Sequence, residues 1–291
     1  MRVVLFGKNG QVGSVLDPLL FPVGEVISLS HADLDLADES ALRVLLRDLK
    51  PDLVINTAAY TNVDQAEQEK VIAGKVNANA PALMMDELNA WGGAFIHLST
   101  DYVFDGSSQS PYVEEDAPAP INQYGRTKLE GERWIEQCGG IYLIFRTSWV
   151  YAGKAVNFVS NVIGWASTQN TIKIVDDQVG SPTWAGMLAE QIAGIVQRKD
   201  WREFMRQHTG IYHCAGRGAV SRFDLACEIL RQHPSPTVKQ TVVVPAKTGD
   251  FPSPALRPAY SALDCSRFER VFGVLLPEWR KSLRAFIQHL E

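Results

Sequence analysis

Arg2-Val-Val-Leu-Phe6-Gly7-Lys-Asn-Gly10-Gln11-Val12-Gly13 is the stretch whose reading decides the fold. A short apolar run with β-branched residues enters a glycine directly, as a buried parallel strand does. Gly7, Gly10 and Gly13 then recur at every third residue into a helical pattern, a Gly-x-x-Gly-x-x-Gly variant of the Gly-x-Gly-x-x-Gly dinucleotide signature. Each glycine answers a need: a tight turn, close approach of backbone to a pyrophosphate, and close packing of helix on strand. Gln11 and Val12 belong to the same turn, and a helix N-terminus behind them offers free N–H groups to phosphates. Pro18 falls inside this first helix, which is therefore expected to be short or kinked.

Outward from that turn, Glu25–Ser30 reads as a second strand. At its end, where a dinucleotide fold usually sets an acid against the adenosine ribose, the chain has Ser30 and His31. A carboxylate there would repel a 2'-phosphate, so its absence predicts that NADPH is accepted, while Asp33 and Asp35, with Leu36 beside them, leave NADH open as well. A helix over 38–50 and a strand over 52–58 follow, putting Ala58, Ala59 and Tyr60 at the carboxyl edge where parallel sheets bind ligands. Those small residues either let a cofactor lie on the backbone or simply pack a strand-to-helix joint. A helical stretch over 71–91, with Pro81 as a kink, leads to a strand over 94–100 that delivers Ser99, Thr100 and Asp101 to the same edge. His97, in the middle of that strand, reads as a packed core histidine. The acidic Glu114, Glu115 and Asp116 of the next loop read as a solvated face.

On the helix after that loop, Tyr124 and Lys128 stand four residues apart and share a face. An ammonium beside a phenol favours the phenolate, so the pair is expected to lower the tyrosine pKa and make it a general acid or base. The opposing expectation for Lys128 is a surface cation paired with Glu132. Tyr142–Tyr151 is a further strand presenting Arg146 to Trp149 at its end. Beyond it, helices are expected over 155–167, 184–198, 221–232 and 277–290, with short strands over 172–175, 211–214 and 241–244. The pattern predicts an α/β fold: a doubly wound, Rossmann-like parallel sheet with a smaller C-terminal substrate-binding lobe. Residues 1–151 would form the dinucleotide-binding domain, with elements returning from the C-terminal half, and residues 152–291 mainly the lobe.

A chain of 291 residues can bury a substantial core, and its net charge of −5 without a basic run argues against nucleic acid or an anionic membrane as partner. Cys138, Cys214, Cys227 and Cys265 are widely spaced, as reduced thiols of a cytoplasmic protein would be. No clustered Cys or His ligands suggest a metal. The strand begins at residue 2, leaving no room for a signal peptide, and no apolar run reaches the length of a membrane span.

Taken together, Gly7-x-x-Gly10-x-x-Gly13, Ser99-Thr100-Asp101-Tyr-Val-Phe-Asp105-Gly106, Tyr124-x-x-x-Lys128 and Arg146-Thr-Ser-Trp-Val-Tyr151 resemble the extended short-chain dehydrogenase/reductases. Within them the chain resembles, nearly end to end, the dTDP-4-dehydrorhamnose reductase family, through Asn62–Glu67, Asp177–Thr183 and Arg257-Pro258 as well. The resemblance implies reduction of a C4 keto group on a dTDP-4-dehydro-6-deoxy sugar, the last step of dTDP-L-rhamnose synthesis. It implies that Tyr124 donates the proton, Lys128 holds the nicotinamide ribose and Thr100 bonds the carbonyl. Asp101, Trp149 and Arg257 match positions near the substrate. Magnesium is associated with dimers in the family, but Ser14 and Val15 on the first helix bring no acidic cluster; a homodimer stays open. A sugar-nucleotide dehydratase is disfavoured because Tyr102, not Glu, follows Asp101. An epimerase would recycle its cofactor, and a regulatory protein similar to the β subunit of methionine adenosyltransferase would bind cofactor without turnover.

Overall fold

The computed structural model describes residues 1–153 and 156–288. Its first element is β1 (Arg2–Phe6), whose alternate side chains feed two different cores: Val3 and Leu5 on one face, Val4 and Phe6 on the other, all buried. The period of two along a strand covered on both sides produces that division. The glycine turn leads into α1 (Gly13–Leu19), only seven residues long with Pro18 inside it. β2 (Glu25–Leu29), α2 (Glu39–Leu49) and β3 (Leu53–Asn56) follow. Asp38 caps α2 by accepting from the Ala41 amide, and Lys50 ends it in a left-handed conformation before Pro51.

The region expected as one kinked helix over 71–91 is broken differently. α3 (Val63–Gln68) and α4 (Lys70–Gly74) run into a π-turn at Lys75–Asn79, and α5 (Ala80–Trp91) then carries Pro81 in its first turn, where its missing N–H costs nothing. The wide turn presents Asn77 sideways. Its amide bonds both the N–H and C=O of Tyr60 and the Thr127 hydroxyl.

β4 (Ala94–Thr100), α6 (Gln123–Cys138) and β5 (Ile141–Thr147) complete the first half. α6 is capped by Asn122, which accepts from the Gly125 amide. The second half comprises β6 (Val150–Tyr151), α7 (Phe158–Thr168), β7 (Thr171–Val175), β8 (Val179–Gly180), β9 (Thr183–Trp184), α8 (Ala185–Val196), α9 (Trp201–Gln207), β10 (Gly210–His213), β11 (Val220–Ser221), α10 (Arg222–Gln232), α11 (Pro236–Lys239), β12 (Val242–Ala246), α12 (Ser266–Phe272) and α13 (Trp279–Gln288). Residue 155 of one expected helix and residues 289 and 290 of another lie outside the described residues.

Six parallel strands form the main sheet in the order β10-β5-β4-β3-β1-β2. α8 and α12 bury Leu188, Ile192 and Phe268 with Leu16 of α1 against one face, while α2, α5 and α6 bury Leu42, Met84 and Ile135 against the other. A separate core joins α7, β7, α10 and α13 through Val162, Ile172, Ile229 and Phe286. The cores therefore interleave along the chain: residues 185–213 return to the main sheet between segments of the second core. The acidic loop is less solvated than its composition suggests, because Glu114 accepts from the backbone N–H of His213 on β10 and burial pushes its carboxyl upward.

Candidate active site

The carboxyl ends of β1, β3, β4 and β5 open onto one cavity of about 800 Å³. Gly7 stands at its floor with φ +89°, a left-handed value that any side chain would strain, and a Cβ there would come within 2.7 Å of Thr57 Oγ1. Gly13 does not line the cavity; a Cβ on it would collide with the Gly7 carbonyl, so it serves the close packing of α1 on the turn. Gly10, Gln11 and Val12 line the wall. An adjoining cavity of about 400 Å³ is bounded by Gly7, Ser30, Asp35, Leu36, Ala58, Ala59 and Tyr60.

Ser30 is not free of negative charge. Asp33 turns back to accept from both the N–H (2.8 Å) and the hydroxyl (2.7 Å) of Ser30, and Lys8 Nζ lies 2.8 Å from the same carboxylate. The expected absence of an acid at this rim is thus corrected: the carboxylate arrives from three residues later. The Lys8 hydrogen bond, with those of Ser30, holds its pKa far below the usual carboxylate range.

Across the larger cavity stand Ser99, Thr100, Asp101, Tyr124, Lys128 and Trp149. Thr100 and Tyr124 both line the cavity, and the Thr100 hydroxyl lies 3.1 Å from Asp101 Oδ1. The other carboxylate oxygen of Asp101 accepts from Ser148 (2.8 Å) and Ser261 (2.5 Å). Asp101 thereby fixes Thr100 and ties β4 to a segment 160 residues away. Burial raises its pKa against those three hydroxyls.

The expectation that Lys128 lowers the Tyr124 pKa is not what this geometry gives. Lys128 is 1 % exposed, and its Nζ turns to His97 Nε2 (3.0 Å) and the Leu98 carbonyl (2.6 Å). Burial pushes the Tyr124 phenol well above its ordinary value and drives the Lys128 amine down to about 7. Nor is Lys128 a surface partner of Glu132. That carboxylate, also buried, grips Arg146 of β5 bidentately, with contacts of 2.7 and 3.0 Å.

Trp149 sits at φ +45°, a conformation rare outside glycine, and the Arg222 guanidinium lies 3.6 Å over its ring and 4.6 Å from that of Phe158. The Arg222 charge also acts on the Tyr102 phenol, and Tyr102 meets Tyr124 edge-on. Arg257 lies apart from the cavity lining, its guanidinium held by Asp64 at 2.6 and 2.7 Å. Sequence reasoning missed Arg222, which belongs to no local motif and opens an amphipathic helix.

Three buried polar atoms around the larger cavity, Gln11 Oε1, Ser99 Oγ and Thr147 Oγ1, have no hydrogen-bond partner within the protein. Buried polar atoms are nearly always satisfied, so these fit a polar cofactor lying along the strand ends. For magnesium the residues do not fit: among the described residues no group of three or more His, Cys, Asp or Glu is placed to hold a metal. Among them also, no helix is long and apolar enough to cross a membrane.

The family model of the RmlD substrate binding domain matches residues 1–291. The dTDP-4-dehydrorhamnose reductase of Burkholderia thailandensis is 37% identical, over 100% of this chain and 99% of its own length. A crystal structure of a dTDP-4-dehydrorhamnose reductase from Clostridium acetobutylicum superposes with a TM-score of 0.91 at 35% identity, covering 100% of this chain and 99% of that one. That of the Bacillus anthracis enzyme, in complex with NADP, gives a TM-score of 0.88 at 33% identity, with 99% of each chain covered.

Proposed function

The chain belongs to the RmlD substrate binding domain family, and from that premise we propose that it is an oxidoreductase reducing the C4 keto group of dTDP-4-dehydro-L-rhamnose to give dTDP-L-rhamnose. NADPH, when bound, supplies the hydride. The observation that carries the reading is the meeting, in one cavity, of Thr100, Tyr124 and Lys128 with a glycine turn more than eighty residues earlier in the chain.

The high pKa of the Tyr124 phenol keeps its proton in place until negative charge grows on the substrate oxygen, which suits a proton donor better than a base. Thr100, oriented by Asp101, offers a second hydroxyl to that oxygen. Lys128 lines the same cavity and would bond cofactor ribose hydroxyls there. Ser30, Ala58, Ala59 and Tyr60 line the smaller cavity, which has the size and apolar walls for adenine, and Asp35 and Leu36 close its far side. On the opposite side, the second core with Trp149 and Arg222 supports binding of the sugar nucleotide. Four cysteines free of disulfides suit a cytoplasmic site for the reaction.

The test is NADPH oxidation by the purified protein with dTDP-4-dehydro-L-rhamnose. Tyr124→Phe removes only the transferable proton, so kcat should fall by about 10²–10⁴-fold while NADPH affinity is kept. Near wild-type kcat in that variant would remove Tyr124 as donor. NADPH binding without oxidation in the wild-type protein would favour a regulatory role.

A further inference from the structure

The first turn of α6, which carries Tyr124, is held by more than its own cap. A helix leaves its first N–H groups without intrahelical acceptors, and a capping side chain satisfies one of them. Here Asn122 accepts from the Gly125 amide at 2.8 Å. The amide of Gln123, the first residue of the helix, goes to Glu67 of α3, whose Oε1 lies 2.7 Å away although 56 residues separate the two in the chain. Tyr124 therefore stands between two residues whose backbone amides are each tied to a side chain. A carboxylate at a helix N-terminus also meets the positive end of the helix dipole. Underneath, the turn has no slack: a Cβ on Gly125 would collide with the Tyr102 carbonyl oxygen, so α6 rests directly on the backbone that follows Thr100 and Asp101.

α3 makes a second connection. Asp64, one turn before Glu67, accepts from the Ala255 amide at 3.1 Å and from both terminal nitrogens of Arg257. Between those two residues the Leu256 carbonyl accepts from the Asn122 side-chain nitrogen at 2.8 Å. A few residues on, Ser261 donates to Asp101, the carboxylate that fixes Thr100. α3, the start of α6 and the segment 255–261 thus close a ring of polar contacts around the supports of both hydroxyls. We propose that Glu67 is a positioning residue for the proton transfer: by accepting from the Gln123 N–H it fixes the turn of α6 that carries Tyr124, and so sets the phenol against Thr100 in the cavity. The proposal rests on the reading of Tyr124 as the proton donor. The Asn122 cap already meets the ordinary need of a helix start, so the contact with Glu67 is not required for α6 to form. What it adds is a fixed lateral position, on which transfer to a growing negative charge depends to fractions of an ångström. Glu67 stands outside the cavity lining and acts only through α6.

The test uses the full-length protein. In Glu67→Ala the single-turnover rate of NADPH oxidation with dTDP-4-dehydro-L-rhamnose should fall about tenfold, while the Kd for NADPH stays within about twofold of the wild type. Glu67→Gln keeps an oxygen that accepts from the same amide and should bring the rate back to within about threefold. Gln123→Pro removes the N–H itself. Proline suits the first position of a helix, and Asn122 before it is already extended at φ −131° and ψ 164°, so the helix start is kept. This variant should match Glu67→Ala, and the two changes together should cost no more than either alone. Carbon NMR of ring-labelled tyrosine, with the Tyr124 signal identified by its loss in Tyr124→Phe, reads the position directly. That signal should be displaced in Glu67→Ala and Gln123→Pro and return to its wild-type place in Glu67→Gln. A wild-type rate with an undisturbed signal in either deletion variant, a Glu67→Gln as slow as Glu67→Ala, or losses that add in the double variant would overturn the proposal. The signal is read without turnover, so a wild-type protein that never oxidises NADPH would refute the reductase reading, while the displacement still decides whether Glu67 places Tyr124.

Discussion

Lys8 and Lys128 flank the same group of cavities, and the contrast between them is one of water. Lys8 reaches Asp33 at 2.8 Å on an open rim, where the two side chains are 33% and 41% exposed. Lys128 meets its partners in a region where Glu132, one turn along α6, and Arg146 of β5 are 1% and 3% exposed. Both regions hold a cation among polar partners. At the wet rim solvent screens the pair and can replace either member, so its weight is small. In the dry region each donor needs a specific acceptor, and a broken pair leaves an uncompensated group. The fold has accordingly put its adaptable contacts at the rim beside the glycine turn and its fixed ones around Lys128 and Arg146.

The strongest way to sharpen this contrast is to break the dry ion pair. Arg146→Met, which strands Glu132, should cost about 3–5 kcal/mol of unfolding free energy in urea titrations. Replacing both, as Arg146→Met with Glu132→Leu, should restore most of it. A single variant as stable as the wild type would mean that water enters this region freely.

Acid separates the two regions next. His213, buried beside Arg146, is pushed down to about 3 from an ordinary 6.5, with burial the main cause. Between those values the unfolded chain binds more protons at this site than the folded one, so stability should fall as the pH drops from about 6.5 toward 3. His213→Phe should flatten that slope. Asp33, whose pKa is depressed, should contribute only below the ordinary carboxylate range, where its protonation begins to favour the unfolded chain. Unfolding midpoints in urea at pH 7 and pH 5 measure the difference, and an unchanged slope in the His213 variant would assign the acid response elsewhere.

The smallest effect is expected at the wet rim. Lys8→Ala should alter NADPH affinity by a few-fold, about 1 kcal/mol or less, and the change should shrink with added salt. Asp33→Asn should shift the balance further toward NADPH over NADH, by a similar factor. Calorimetric binding of both cofactors at two ionic strengths measures this. A loss of binding altogether would show the rim to be as rigid as the dry region.

Much of this was legible in the residues, and the reason differs from place to place. The buried strands announced themselves because they are covered on both faces and run apolar without interruption, as in Val3 to Phe6 and Leu53 to Ile55. Tyr124 and Lys128 were legible as a pair because helical spacing is local. The π-turn was not: Pro81 marked an irregularity, but its place was decided by Asn77 finding Tyr60 and Thr127.

The chain's order of residues by itself determined the alternation of strand and helix, the glycine turn, and which side chains arrive at the carboxyl edge, since all of these follow from short-range periodicity and steric need. Only the tertiary structure decided what those side chains do on arrival. Lys128 faces His97 from 31 positions away rather than the tyrosine one turn behind it, Asp33 folds back on Ser30, and Arg257 is taken by Asp64. Burial and hydrogen-bond direction are properties of the assembled interior, where a donor must face an acceptor, and no spacing along the chain encodes them.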